Sequence, residues 1–125
     1  DQAARWRDDG RCIISGFQSP VEKECLRILL GGTQPIIICP ARSLEGMRIP
    51  SEWRDGIAQG RILLLSPFPQ TARRQSAALA RQRNEFVAAL ADDIYVPYAT
   101  PGGSLDQLIC RARSWNVIVN VAQSW

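Results

Sequence analysis

Short apolar runs alternate along the chain with longer stretches of helical pattern. The apolar runs occupy residues 11–15, 35–39, 61–65, 93–97 and 117–121. They are rich in leucine or β-branched residues and apolar at consecutive positions, which is typical of strands buried on both faces of a parallel sheet. The helical patterns cover residues 2–8, 20–30, 50–59, 72–91 and 105–114. This alternation predicts a doubly wound α/β domain with a mostly parallel sheet of about five strands and helices on both faces.

Two of the predicted helices begin with capping residues. Ser19 and Glu22 stand at capping-box spacing, with proline at the first helical position between them. Because this spacing already accounts for Glu22, we interpret it as a cap rather than an acid catalyst. Ser104 follows two glycines and is predicted to cap the last helix.

Composition limits the chemistry that is available to the protein. The 125 residues suit one domain, and they include no histidine and only one lysine, Lys23. A histidine base, a histidine metal ligand and a phosphate-loop lysine are therefore excluded, since Lys23 lies in no glycine-rich loop. We expect neither a metal nor a cofactor. The formal charge is +3, and all the other basic residues are arginines, whose planar forks suit phosphates and carboxylates.

The cysteines and the hydropathy pattern bear on location. The four cysteines are isolated among apolar residues, so we expect them to be reduced and buried. They are Cys12, Cys25, Cys39 and Cys110. No apolar run approaches the roughly 20 residues of a membrane span, and we expect a cytoplasmic protein without membrane contact.

Candidate site residues lie in the segments that follow the strands, because ligands of open parallel sheets bind at the carboxyl ends of the strands. These segments are residues 16–19, 40–43, 66–69, 98–104 and 122–125. Gly102, Gly103 and Ser104 either cradle a phosphate with backbone amides or form a tight turn with a capping serine. Phe17, Phe68 and Tyr98 are candidates for stacking on a base. The four tryptophans are interpreted as anchors of the helices and the C-terminus: Trp6, Trp53, Trp115 and Trp125.

An arginine stands on the helix face that is otherwise apolar. Helical spacing places Arg83 in one row with Leu79, Phe86 and Leu90. A buried guanidinium needs a partner, so Arg83 either pairs with a loop or carboxylate of the protein or binds a ligand phosphate. Three further arginines precede or follow it closely and either form a solvated face or track a nucleic-acid backbone: Arg73, Arg74 and Arg81.

Taken in order, the motifs resemble the DNA-processing protein A (DprA, also called Smf) family, in the superfamily that includes the LOG phosphoribohydrolases. The matching segments are IISGFQSPVEKECLRILLGG, PIIICPARSLEGM, GRILLLSPFP, RQRNEFVAALADDIYV and TPGGSLDQLICRA. The resemblance implies a Rossmann-like three-layer domain that lacks the family's first strand and its phosphate loop. An open sheet of this kind favours a homodimer.

The same resemblance implies a non-catalytic pocket for a nucleotide or single-stranded DNA, in a protein that acts in DNA processing with a RecA-type recombinase. The positions it implies are Ser15, Gly16, Phe17, Ser19, Arg42, Ser66, Phe68, Arg83, Asn84, Gly102, Gly103 and Ser104. A LOG-type hydrolase of nucleoside monophosphates is the enzymatic alternative, but Ile109 stands where those enzymes carry a glutamate. A degenerate family member that only self-associates is the third possibility.

Overall fold

The computed structural model describes residues 1–99 and 101–122, and its contacts divide the chain into two compact units, Asp1–Arg83 and Asn84–Trp125. The elements are α1 (Gln2–Asp8), β1 (Ile13–Ser15), α2 (Pro20–Leu30), β2 (Ile36–Ile38), α3 (Ser51–Ala58), β3 (Ile62–Leu64), α4 (Ala77–Leu90), β4 (Asp93–Val96), α5 (Ser104–Ser114) and β5 (Ile118–Val121). Helices alternate with parallel strands in both units, which confirms the α/β class.

Most predicted boundaries agree with the structure to within two residues, and the start of α4 is the exception. The predicted helix, 72–91, is wrong in its first turn because one bond from another loop and one local bond favour a loop there. The backbone N–H of Ser43 donates to the carbonyl of Ala72 at 2.6 Å. The hydroxyl of Ser76 then accepts from the N–H of Leu79 at 3.1 Å, which caps the helix at its observed start.

The first unit contains a parallel sheet in the order β1-β2-β3. Ser15 pairs with Ile38, and Ile38 pairs with Leu64, so the three strands end level with one another. The loops that follow these strands therefore begin at one edge of the sheet, which positions the candidate site.

One face of this sheet carries the core of the first unit. The buried cluster consists of Phe17, Leu26, Leu29, Ile36, Ile38 and Ile62. Gly56 lets α3 approach the sheet, because a Cβ at this position would lie 2.4 Å from the Cδ1 atom of Ile62. The side chain of Leu63 is 52% exposed, so the prediction that every strand is buried on both faces is wrong at this position.

Arg61 clamps the end of α2. Its Nε donates to the carbonyl of Gln34 at 2.8 Å, and its Nη1 donates to the carbonyl of Leu30 at 3.2 Å. Its Nη2 donates to the carbonyl of Leu29. The fork thus binds carbonyls at a helix C-terminus, where a cation is electrostatically favoured. The sequence analysis did not identify this role.

The second unit contains the parallel pair β4-β5, with α5 packed on β5. The buried side chains of α5 are Leu108, Ile109 and Ala112. Ile118 is 65% exposed, so burial on both faces is also wrong in this sheet. Within residues 1–99 and 101–122, no helix has the length and apolar character that a bilayer span requires.

All four cysteines are free, but only some are buried. Cys39 is buried and Cys25 is half-buried, as expected. Cys12 and Cys110 are exposed, because each lies outside the face of its segment that packs, so the prediction of burial is wrong for these two.

Two tryptophans act as the predicted anchors. Trp6 and Trp53 pack against the core of the first unit. Trp115 is 45% exposed at the end of α5, so the anchor interpretation is wrong there. Trp125 lies outside the described residues.

Candidate functional site

The candidate site is built from the loops at the carboxyl edge of the first sheet. The N–H of Cys39 donates to the carbonyl of Ser15 at 2.8 Å, which extends the β1-β2 pairing by one bond. The hydroxyl of Ser66 donates to the carbonyl of Arg42 at 2.6 Å, which joins the loops after β2 and β3. These bonds hold the three post-strand loops to one another.

Arg83 brings a positive charge into this edge. Arg83 is only 4% exposed, which confirms the prediction that its side chain faces inward. Nη1 donates to the carbonyl of Cys39 at 3.1 Å, and Nη2 donates to the side-chain oxygen of Gln18 at 3.2 Å. Of the two predicted alternatives for this guanidinium, pairing with protein groups is therefore observed, and phosphate binding stays a prediction.

Gly16 provides the space for the guanidinium. A Cβ at this position would lie 1.8 Å from Nη1 of Arg83 and 2.4 Å from its Cζ. The φ angle of Gly16 lies outside the left-handed region, so its backbone conformation is open to other residues. The close approach of Arg83 thus leaves no room for a Cβ at Gly16 while the guanidinium keeps this position.

Glu22 holds the loop between β1 and α2. Its carboxylate accepts from the hydroxyls of Ser15, at 3.1 Å, and Ser19, at 2.8 Å. It also accepts from the N–H of Gln18 at 3.3 Å. The hydroxyl of Ser19 in turn accepts from the N–H of Glu22 at 3.2 Å. The Ser19 cap is confirmed, whereas the Glu22 carboxylate accepts from the Gln18 N–H in place of the Ser19 N–H of a capping box. These four bonds give the loop a fixed shape.

The charges of the site are arranged around Arg83. Burial lowers the pKa of Arg83 from its ordinary value, while the Glu22 carboxylate and the Cys39 thiol act in the opposite direction. Burial raises the pKa of the Cys39 thiol, and the Arg83 charge offsets part of that rise. The guanidinium thus lies in a desolvated position with one carboxylate near enough to stabilise its charge.

Phe17 is part of the core and not a stacking platform. It is 5% exposed and belongs to the buried cluster, so the prediction that it stacks on a base is wrong. Its φ angle is +48°, in the left-handed region, which costs a non-glycine residue about 1–3 kcal/mol. Its N–H donates to the hydroxyl of Ser15 at 3.0 Å. The loop therefore turns sharply to direct this side chain into the core.

The loops after β2 and β3 hold the other candidates of the first unit. Arg42 donates through Nε to the carbonyl of Ser43 at 2.8 Å and through Nη2 to that of Glu45 at 2.9 Å. The hydroxyl of Ser66 accepts from the N–H of Phe68 at 3.2 Å. Phe68 is half-buried, so its role in stacking stays a prediction. Arg42 stabilises its own loop.

The remaining candidates belong to the second unit. The N-cap of α5 is Gly103, and no side chain caps this helix. Ser104 is the first residue of the helix itself, so the prediction that Ser104 is the cap is wrong. The carboxylate of Asp106, in the first turn of α5, accepts from the N–H of Gly102 at 2.9 Å and so holds the turn before the helix. Asn84 is half-buried in α4. A role for these residues in phosphate binding stays a prediction.

Exposed arginines precede and follow the first turn of α4. Arg73, Arg74 and Arg81 are all exposed, as both of their predicted roles require. The Nε of Arg73 donates to the carbonyl of Gln70 at 3.2 Å. The first unit therefore presents positive charge along the segment that leads to Arg83.

Two members of the site, Gln18 and Cys39, were not predicted from the sequence. Gln18 lies in a segment identified as post-strand, but nothing local to it indicates a bond to Arg83, which is 65 positions away. In the described part of the chain, no three His, Cys, Asp or Glu side chains gather to hold a metal. A comparison with protein-family models and with curated proteins finds no match to this chain.

Proposed function

We propose that the carboxyl edge of the first sheet binds a phosphate group of a nucleotide or of single-stranded DNA, in a non-catalytic module that resembles the DprA family. The observation that carries the proposal is the buried guanidinium of Arg83, which lies over Gly16 among the post-strand loops. Loops in this position are where parallel sheets bind their ligands. The Rossmann-like sheet of about five strands belongs to the same proposal.

The cost of burying Arg83 supports a functional role. Its two hydrogen-bond acceptors described above are neutral oxygens, those of Cys39 and Gln18. A buried guanidinium is more strongly stabilised by an anionic acceptor, because charge-assisted bonds are about twice as strong as neutral ones. A phosphate oxygen would therefore be a better partner than either of these groups.

Nearby surface charge supports a nucleic acid as the larger ligand. Arg73, Arg74 and Arg81 are exposed in the same unit, and no carboxylate occurs between residues 56 and 84. Exposed arginines of this kind contact a phosphate backbone without reading its sequence. The RecA-type recombinase and the homodimer remain predictions for the partners.

The described contacts do not favour the hydrolase alternative. Ile109, which stands where LOG enzymes carry a glutamate, is 5% exposed and apolar. The Glu22 carboxylate, which stabilises the charge of Arg83, is already engaged with the hydroxyls of Ser15 and Ser19. The proposal is therefore a binding function.

Titration of a fluorescent oligothymidine, followed by anisotropy across a salt series, tests the proposal. We expect binding that weakens with salt, with a slope of about −0.7 for each phosphate contacted. Arg83→Gln should weaken binding about tenfold or more, because it removes a charge-assisted bond. Arg54→Gln is the matched control, since it removes the same charge from an exposed position of α3, outside the proposed binding surface of the same unit.

Three outcomes would contradict the proposal. These are the absence of binding at high protein concentration, binding that is independent of salt, and equal losses for both variants. Arg83→Lys, which keeps the charge but loses the fork, serves as a second variant if Arg83→Gln fails to fold. Circular dichroism of each variant establishes that it is folded.

A further inference from the structure

Two acceptors of Arg83, the Cys39 carbonyl and the Gln18 side-chain oxygen, differ in how firmly they are held. Cys39 is fully buried, and its own N–H is bonded to the carbonyl of Ser15, so its carbonyl is fixed in place. Gln18 is an exposed residue that reaches Nη2 of Arg83 only through the end of its side chain. One acceptor is therefore part of the sheet, and the other is replaceable.

The Gln18 side chain can leave without disturbing the loop that carries it. The backbone N–H of Gln18 is held by the Glu22 carboxylate, and the preceding residue, Phe17, is anchored in the core. The following residue, Ser19, caps α2. None of these anchors involves the Gln18 amide group, so moving that group breaks its hydrogen bond to Arg83 and leaves these anchors in place.

We propose that Gln18 is an internal competitor of the ligand: its side-chain oxygen occupies the position on Arg83 that a phosphate oxygen takes. This inference rests on the proposed phosphate-binding function. The amide oxygen and the phosphate oxygen accept the same N–H, but the phosphate brings a negative charge, so it displaces Gln18 when it binds. Gln18 then determines affinity without contacting the bound ligand, since every binding event first breaks its bond to Arg83.

Substitutions of Gln18 in opposite directions distinguish this role from a general stabilising one. Gln18→Ala removes the competitor, and we expect oligothymidine to bind about three- to tenfold more tightly, the value of one net hydrogen bond. Gln18→Glu places a carboxylate against Arg83, and we expect binding to weaken about tenfold or more. A side chain that merely supported the loop would weaken binding in both variants.

Gln82→Ala and Gln82→Glu are the matched controls. Gln82 is exposed and adjacent to Arg83 in sequence, so its variants change the side chain and the charge of the same neighbourhood. We expect Gln82→Ala to bind as the wild type does, and Gln82→Glu to weaken binding less than Gln18→Glu. Equal effects at both glutamines would overturn the inference, because they would show a general charge effect.

The outcomes separate this inference from the function on which it rests. Tighter binding by Gln18→Ala supports the inference, including the case where the wild type alone binds too weakly to detect. Unchanged or weaker binding by Gln18→Ala, with salt-dependent binding by the wild type, overturns the inference and leaves the function standing. Absence of binding by both overturns the function and the inference together.

Discussion

Replacing Gly16 with alanine adds a methyl group where the guanidinium of Arg83 lies. The new carbon would be 1.8 Å from Nη1, so the guanidinium must move. Moving it breaks the bond to the Cys39 carbonyl, and a hydrogen bond to a charged group contributes about 1.5–3 kcal/mol. The guanidinium is the end of a flexible side chain and moves without overpacking, so we expect a loss of about 1.5–3 kcal/mol in the free energy of unfolding, the value of that bond.

Urea unfolding followed by circular dichroism measures this loss. Gly31→Ala is the matched control, because a Cβ there would lie 3.4 Å from the Ile28 carbonyl oxygen and the φ angle is −74°. We expect the control to differ from the wild type by less than about 1 kcal/mol, with stabilisation favoured by the lower entropy of the unfolded chain.

A double-mutant cycle with Arg83→Leu tests the cause. Leucine lacks the guanidinium atoms that the new methyl group would meet, so Gly16→Ala should cost less than about 0.5 kcal/mol in that background. The coupling energy between the two positions should then be about 1 kcal/mol or more. If Gly16→Ala costs the same in both backgrounds, or costs nothing in the wild type, the close approach of Arg83 does not explain the glycine.

Three further predictions concern neighbouring groups. Arg61→Ala should lower the free energy of unfolding by about 2–3 kcal/mol in urea titrations, and Arg61→Lys should recover little of it because lysine lacks the planar fork; full recovery would contradict the clamp. Iodoacetamide labelling read by mass spectrometry should modify exposed Cys12 in the native protein but Cys39 only after unfolding, because Cys39 is shielded from the reagent. Burial raises the pKa of both thiols, so exposure decides the difference. Glu22→Gln should tighten oligothymidine binding about threefold by removing a negative charge near Arg83, at a stability cost of about 0.5–1 kcal/mol; unchanged affinity would show that this carboxylate does not oppose the ligand.

The elements of the fold were predictable because their signals are local. Apolar runs and capping residues determined all five strands and the start of α2 at Ser19. The start of α4 was not predictable, because the carbonyl of Ala72 is taken by Ser43, a residue from another loop. The exposure of Leu63 was not predictable either, since an apolar sequence does not indicate whether one or both faces of a strand are covered.

The candidate site was predictable only in part. Helical spacing correctly predicted that Arg83 faces inward, but the acceptors Cys39 and Gln18 lie 44 and 65 positions away in sequence. Gly16 illustrates the difficulty: a glycine after a strand has an ordinary explanation as a turn, and the side chain that actually requires it comes from another element. Contacts of this kind follow from how the loops meet, and no periodicity in the sequence encodes them.

The backbone of Phe17 has a consequence for the motions of the loop. Its left-handed φ angle and the burial of its ring depend on each other, because a change of the backbone to another conformation would withdraw the ring from the core. The loop between β1 and α2 therefore has no low-energy way to open by itself. Its amide hydrogens should exchange with solvent only in openings that also expose the core, and a ligand meets a loop that is already in its final shape.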